Sequence, residues 1–382
     1  MRFVIIGTAY PLRGGIAQYV GLLYKALRER GHEVQVITFS RQYPKIIFPG
    51  KSQQEQGGPG VALESLQVID SINPFTWRTA GKRAADFEPD AIIFKFWLPF
   101  FAPAYGMMAR VAKKILRKKN KQTKIIFIAD NVIPHEKRPG DRALTNYAFK
   151  VVDDFIVQSN AVEHDLKIVK PDAKYLRLEH PVFESFGAPL PRNESRKKLG
   201  IPNDAEVLLY FGFIRKYKGI DIAIRSVAEA IKERKKLLLV VAGEQYSGEE
   251  DYKSLAKSLG LTDENIRFFD HYISNDEVPL YFSAANAALL PYRSATQSGV
   301  VQIAYHFDLP VIATAVGGLP EIVIDGKSGL IAPEATLESV TISIKKFFSE
   351  SLEEKLRNGV RAEKPKYQWA TFVEGIERIV RS

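Results

Sequence analysis

The chain has 382 residues, a hydrophobic fraction of 46% and a charged fraction of 26%, which is long for one core, comfortable for two, and typical of a folded globular protein. It contains no cysteine, so disulfides, thiolate zinc sites and cysteine nucleophiles are excluded, and no apolar run reaches the roughly 20 residues that span a bilayer. The formal net charge is +10, and a cytoplasmic protein is the economical reading of these facts together.

Short β-branched runs alternate with helical patterns along the chain, which predicts parallel sheets with crossover helices, an α/β fold class. Met1-Arg2-Phe3-Val4-Ile5-Ile6-Gly7 is too short in its apolar part for a signal peptide and reads as a first strand over residues 2–7. A helix follows, marked by Ile16, Tyr19, Val20, Leu23 and Leu27 at helical spacing and ended by Gly31. Residues 33–39 are the next strand, and residues 43–60, rich in Gly, Pro and Gln, read as a mobile surface loop. Strands are expected again at 91–96, 124–129 and 155–158. From Ala109 to Lys124 the chain carries Arg110, Lys113, Lys114, Arg117, Lys118, Lys119, Lys121 and Lys124, without an acidic residue, and with Val111, Ile115 and Leu116 as an apolar side. Residues 109–124 read either as a solvated helix face or as a basic amphipathic helix that lies on an anionic membrane surface. Nucleic acid fits less well, because no groove-reading or aromatic-rich motif accompanies the charge.

Residues 180–192 form a proline-containing linker, after which the alternation restarts with strands at 206–213, 237–242, 266–269, 287–290 and 310–313. Two doubly wound units, residues 1–183 and 190–365, are expected to face a cleft at the carboxyl ends of their strands. The last segment, about 366–382, carries Trp369, Phe372, Ile376 and Ile379 on one helical stripe and is expected to pack back on the first unit.

Four glycine-containing loops follow predicted strands. Gly14-Gly15 stands just before the first helix, where an open backbone and free amides favour an anion such as a phosphate; it is not the spacing of a dinucleotide fingerprint. In Tyr210-Phe211-Gly212-Phe213-Ile214-Arg215-Lys216-Tyr217-Lys218-Gly219, Arg215 offers bidentate and Lys218 point-charge contacts to phosphate. Thr296, Gln297, Ser298 and Gly299 look like a capped helix start, and Gly317-Gly318-Leu319-Pro320-Glu321 is another turn at a strand end. Asp130, at the carboxyl end of a predicted strand, and His135 on the same loop are candidates for work at an acceptor. Asp153-Asp154 reads as a solvated strand start, and no cluster has the spacing of a metal cage.

The Gly14-Gly15 turn, Lys218-Gly219, Ala242-Gly243-Glu244, Leu290-Pro291-Tyr292 and Pro310-Val311-Ile312 followed by Gly317 to Glu321 resemble glycosyltransferase family 4, over essentially the whole chain and in that family's order. The resemblance implies the GT-B architecture of two Rossmann-like domains. It implies retaining transfer of a sugar from a UDP- or GDP-linked donor, without a metal, to a carbohydrate or lipid-linked glycan. Such enzymes serve cell-surface polysaccharide or glycoconjugate synthesis, here at the inner face of the membrane. Carried onto this chain, it has Gly14 and Gly15 line the donor phosphate, while Arg215 and Lys218 neutralise the diphosphate leaving group. Ile273 meets the base through its backbone, and Thr296, Gln297, Ser298 and Gly299 meet the sugar and diphosphate. Gly243 and Glu321 belong to the same donor site. The leaving phosphate takes the acceptor's proton on the same face, so no carboxylate pair is required.

Three positions depart from the family. Ala295 and Ile303 stand where it usually has two glutamates, with Gln302 as the nearest candidate for the ribose contact. Phe213 stands where many members have arginine, with Arg215 the nearest substitute. Asp130 stands where a histidine is usual, with His135 on the same loop. Two other readings are a GT-B sugar-phosphate epimerase or phosphorylase, which would interconvert sugars without an acceptor, and a non-catalytic scaffold that binds sugar nucleotide.

Overall fold

Strands that are apolar on both faces belong in parallel sheets covered by helices on both sides, and residues 3–6, 91–96 and 237–242 are buried without interruption. The structure is a computed structural model that describes residues 1–44, 52–58, 60–134, 138–245 and 250–382; counts of elements and partners refer to those residues. The chain divides into two units, residues 1–181 with 367–382, and residues 182–366.

The first unit runs β1 (Arg2–Ile6), α1 (Gly15–Glu29), β2 (Glu33–Arg41), β3 (Ser65–Asp70), α2 (Pro74–Asp86), β4 (Ala91–Phe96), α3 (Ala102–Lys118), β5 (Lys124–Ala129), α4 (Asp141–Phe149), β6 (Asp154–Val157), α5 (Asn160–Val169) and β7 (Tyr175–Arg177). Its sheet is parallel throughout, in the order β3-β2-β1-β4-β5-β6-β7. The order reverses between β1 and β4, so the loop after β1 opens at the switch point where such sheets bind ligands.

The second unit contains α6 (Arg192–Lys198), β8 (Glu206–Phe211), α7 (Ile220–Ala230), β9 (Leu237–Ala242), α8 (Tyr252–Ser258), β10 (Ile266–Phe269), α9 (Val278–Ala284) and β11 (Ala287–Leu290). It continues with α10 (Gly299–His306), β12 (Val311–Thr314), α11 (Leu319–Ile322), β13 (Gly329–Ala332), α12 (Leu337–Ser349) and α13 (Glu353–Glu363). Its sheet is parallel in the order β10-β9-β8-β11-β12-β13 and reverses between β8 and β11. The chain then returns to the first unit as α14 (Trp369–Arg381).

That return is driven by the apolar stripe. Trp369, Phe372, Ile376 and Ile379 are all buried, with the Trp369 and Phe372 rings 5.0 and 6.1 Å from the ring of Tyr19 on α1. Charge completes the contact: Arg30 donates from Nε to Glu377 Oε1 at 2.8 Å, and His32 Nε2 lies 2.8 Å from the same oxygen.

Most of the basic run is α3, and five of its eight cations are engaged by the chain itself. Lys113 pairs with Asp153 at 2.6 Å, Lys119 with Glu88 at 2.7 Å, Lys121 with Asp90 at 2.6 Å and Lys124 with Asp154 at 3.3 Å, while Arg110 donates to the Gly106 and Tyr147 carbonyls. The loop expected over residues 43–60 lies partly outside the described residues, and residues 53 and 55 of it are hydrogen-bonded to the turn after β1. Arg13 N–H donates to the Gln53 carbonyl at 3.0 Å and Glu55 N–H to the Pro11 carbonyl at 2.8 Å, so this segment braces the turn that precedes α1.

Candidate active site

In the second unit the loops after β8, β9, β11 and β12 meet backbone to backbone at the carboxyl edge of the sheet. A Cβ on Gly219 would lie 2.0 Å from the Pro291 carbonyl oxygen, and one on Gly317 only 1.4 Å from that of Ala295; both glycines have positive φ, +67° and +52°. Only glycine fits either point, because a side chain would collide with main chain that cannot yield cheaply. Gly243, just past β9, is seated against the Gly212 backbone. Hydrogen bonds join the same loops: Arg293 N–H donates to the Tyr217 carbonyl at 2.7 Å, Thr314 Oγ1 to the Tyr292 carbonyl at 2.5 Å, and Ile214 N–H to the Glu244 carbonyl at 3.1 Å. The Arg293 guanidinium forks onto both Asp221 oxygens, at 2.7 and 2.5 Å, which locks the loop after β11 to the start of α7.

Lys218 sits inside this platform with its Nζ 3.3 Å from the point a Cβ on Gly212 would occupy, and Val300, in the first turn of α10, is 3.9 Å from that point. Among the described residues its ammonium has no hydrogen-bond acceptor and no carboxylate partner; the Tyr292 ring lies 5.8 Å away. Burial, and after it the charge of Arg215, push the Lys218 pKa down to about 8. A cation held among loops beside another cation, without an anion, is a site prepared for one. The N-terminus of α10 adds to it. Ser298 makes no side-chain cap, and the Gly299 and Val300 amides have no acceptor among the described residues, so the positive end of the helix is open. Thr296 and Ser298 are buried beside it and Gln297 is half-buried.

Of the remaining predicted positions in this unit, Ile273 is buried in the loop after β10 and Glu321 is half-buried in α11. Gln302 is fully buried in α10, and neither of its amide atoms has a partner among the described residues. An orphaned buried amide of this kind calls for a ligand or an ordered water. Ala295 and Ile303, at the positions of the absent glutamates, are buried apolar residues.

In the first unit Gly14 caps α1 at φ +102° without a side-chain bond, and a Cβ on Gly14 or Gly15 would meet nothing within 4 Å. The Gly15 and Ile16 amides have no acceptor among the described residues. This turn is open because nothing of the unit's own packs there.

Asp130, the candidate for work at the acceptor, is buried and engaged by its own unit. Lys95, on β4, donates from Nζ to Asp130 Oδ1 at 2.6 Å and to Gln158 Oε1 at 3.3 Å, and lies 3.4 Å over the Tyr19 ring. Gln158 Nε2 donates to the Tyr19 hydroxyl at 3.1 Å. The His180 ring stands edge-on to Tyr19 at 5.2 Å, and its Nδ1 lies 2.8 Å from the Pro181 carbonyl, which fixes the proton on Nδ1. Burial, then the Lys95 charge, hold the His180 pKa at about 3, so the ring is neutral. The signal for this cluster was present in Ile92-Ile93-Phe94-Lys95-Phe96, a lysine inside an otherwise apolar strand, since a buried charge demands a partner. His135 lies outside the described residues.

Profiles of two families match the chain: "Glycosyl transferases group 1" over residues 191–367 and "Glycosyl transferase 4-like domain" over residues 14–159. A D-inositol 3-phosphate glycosyltransferase of Actinosynnema mirum is 30% identical over 83% of this chain and 80% of its own length. One of Streptomyces scabiei is 33% identical over 83% of this chain and 75% of its own. Among solved structures, sucrose-phosphate synthase of Thermosynechococcus elongatus superposes with a TM-score of 0.73 at 19% identity, covering 100% of this chain and 98% of that one. Anabaena HepE in complex with UDP gives 0.75 at 16% identity, covering all of both chains. With both profiles in chain order and a relative 33% identical over 83% of the chain, the chain belongs to the group 1, family 4-like glycosyltransferases of GT-B fold, and is a sugar-transferring enzyme.

Proposed function

We propose that this enzyme moves a hexose from a nucleotide-diphosphate donor, UDP- or GDP-linked, to a carbohydrate or lipid-linked glycan acceptor with retention of configuration and without a metal. The observation that carries the reading is Lys218: a half-buried ammonium with no acceptor among the described residues, beside Arg215 and the open N-terminus of α10. As the glycosidic bond breaks, charge grows on the β-phosphate, and these groups are placed to neutralise it without reorganising. The phosphate oxygen then takes the acceptor's proton on the face it leaves, so no separate carboxylate pair is required. Gln302 is the residue we assign to the ribose, and the α1 amides at Gly14-Gly15 suit an oxyanion. HepE, solved with UDP-glucose, supports starting with UDP donors.

The proposed setting is cell-surface polysaccharide or glycoconjugate synthesis by a cytoplasmic enzyme at an anionic membrane face. The net charge of +10 supports this, and no helix among the described residues is long and apolar enough to cross a membrane. The test is a thermal-shift screen of UDP and GDP sugars, followed by transfer assays on a glycan panel that includes an inositol phosphate and a chelator control. Stabilisation by one donor class with transfer supports the reading; no response to any nucleotide sugar overturns it.

A further inference from the structure

Among the described residues α2 and α3 carry exposed cations without a carboxylate partner, and exposed apolar residues stand at the start of α2. In α3 Lys114 and Lys118 are exposed, and in α2 so are Arg78, Lys82 and Arg83; none has a carboxylate at salt-bridge distance among the described residues. The two helices are packed closely through Gly81, where a Cβ would lie 2.7 Å from the Met108 carbonyl oxygen and 2.9 Å from Val111. Helical spacing then brings the charges together. Lys114 and Lys118 stand three and seven residues beyond Val111, on the α2 side of α3. Arg78 and Lys82 flank Gly81 on α2, and Phe75, Thr79 and Lys82 share its outermost ridge, with Asp86 as the acid at the far end.

At the other end of that ridge, where β3 gives way to α2, Ile72 is 50% and Phe75 82% exposed. Isolated exposed apolar residues are ordinary, but a phenylalanine this uncovered, at the tip of a helix whose solvent face is basic, has the chemistry of an interfacial anchor.

We propose that this face of α2 and α3 docks on an anionic lipid surface, with Phe75 and Ile72 inserted among the headgroups and Arg78, Lys82, Lys114 and Lys118 lying over lipid phosphates. This rests on the membrane setting proposed above and moves the contact from residues 109–124 as a whole to a two-helix surface. The cations of that run that are paired with Asp90, Asp153, Asp154 and Glu88 are spent within the fold.

The experiment is cosedimentation of the full chain with vesicles of phosphatidylcholine alone or mixed with phosphatidylglycerol, with donor binding and transfer to a water-soluble acceptor measured on the same samples. Binding to the mixed vesicles only is expected. Ile72→Ser with Phe75→Ser should weaken it by about tenfold, and Lys82→Gln with Lys114→Gln and Lys118→Gln by about fivefold for each cation removed. Lys119→Gln with Lys121→Gln should weaken it by less than either, because those cations are already paired. Transfer to the soluble acceptor should be unchanged in all four proteins. Wild-type binding that the α2–α3 variants retain overturns this inference and leaves the membrane setting standing. No binding by the wild type overturns both, and self-association that Phe75→Ser abolishes would assign the face to a second copy instead.

Discussion

Lys95 and Lys218 are both lysines whose pKa burial lowers, and their neighbours separate their roles. Lys95 is satisfied by Asp130, Gln158 and the Tyr19 ring, so it belongs to the architecture. Lys95→Met should cost about 3–5 kcal/mol in chemical denaturation by stranding the Asp130 carboxylate, and Asp130→Asn in the same chain should recover part of that loss. Lys218 has no such partner among the described residues, so Lys218→Ala should leave stability at neutral pH undiminished or raised and lower kcat/KM by about 100-fold or more. Its titration gives a second test. With a folded pKa near 8 against 10.5 for an ordinary lysine, the unfolded chain binds more protons between those values. Lys218 therefore opposes folding at neutral pH, and that cost is relieved as pH rises through the window. Donor binding runs the other way. A diphosphate needs the charged form, so the donor Kd should rise as pH passes 8, and a flat profile in the wild type would remove Lys218 from the phosphate site.

At the scale of elements, loops that carry chemistry were more legible than strands that carry none. Gly219, Gly243 and Gly317, after β8, β9 and β12, were visible because main chain at those points admits no Cβ, a local demand that leaves a mark on the sequence. The partners across the gap, Ala295 for Gly317 and Pro291 for Gly219, were not visible, since close approach between distant segments has no periodicity. A paired substitution tests the point. Gly317→Ala should lower donor affinity by about tenfold or more by pushing on Ala295. Gly326→Ala, at φ +69° but with nothing within 4 Å of the new Cβ, should cost only backbone strain of about 1 kcal/mol and leave donor affinity alone. Strands β3, β7 and β13 escaped the sequence reading for a related reason. Two are three or four residues long, too short for a pattern to mark, and β3 lies at its sheet edge with only Ile69 buried. The Lys95 cluster escaped because its members are scattered from Tyr19 to His180 and only the topology collects them.

At the scale of the whole molecule, the helix that closes the first unit is held by its charges as well as its stripe. Hydrogen bonds from Arg30, then from His32, hold the Glu377 carboxyl at about 2, below its ordinary 4.5. A depressed carboxyl stabilises the fold fully above the ordinary value and loses that contribution as pH falls towards the folded one. Glu377→Gln should therefore cost about 2 kcal/mol at neutral pH and flatten the acid limb of a stability–pH curve, checked by denaturant titration from neutral to acid pH. The same helix has a consequence for biosynthesis. Residues 182–366 form one uninterrupted stretch, whereas the first unit needs residues 367–382 to cover the Tyr19 face. On the ribosome domains ordinarily mature from the amino end. Here the order inverts: the second unit has all its residues before the first can finish, and a nascent chain holds an uncovered aromatic surface until its last turns emerge. Chaperone dependence during translation should therefore fall on the half that was made first.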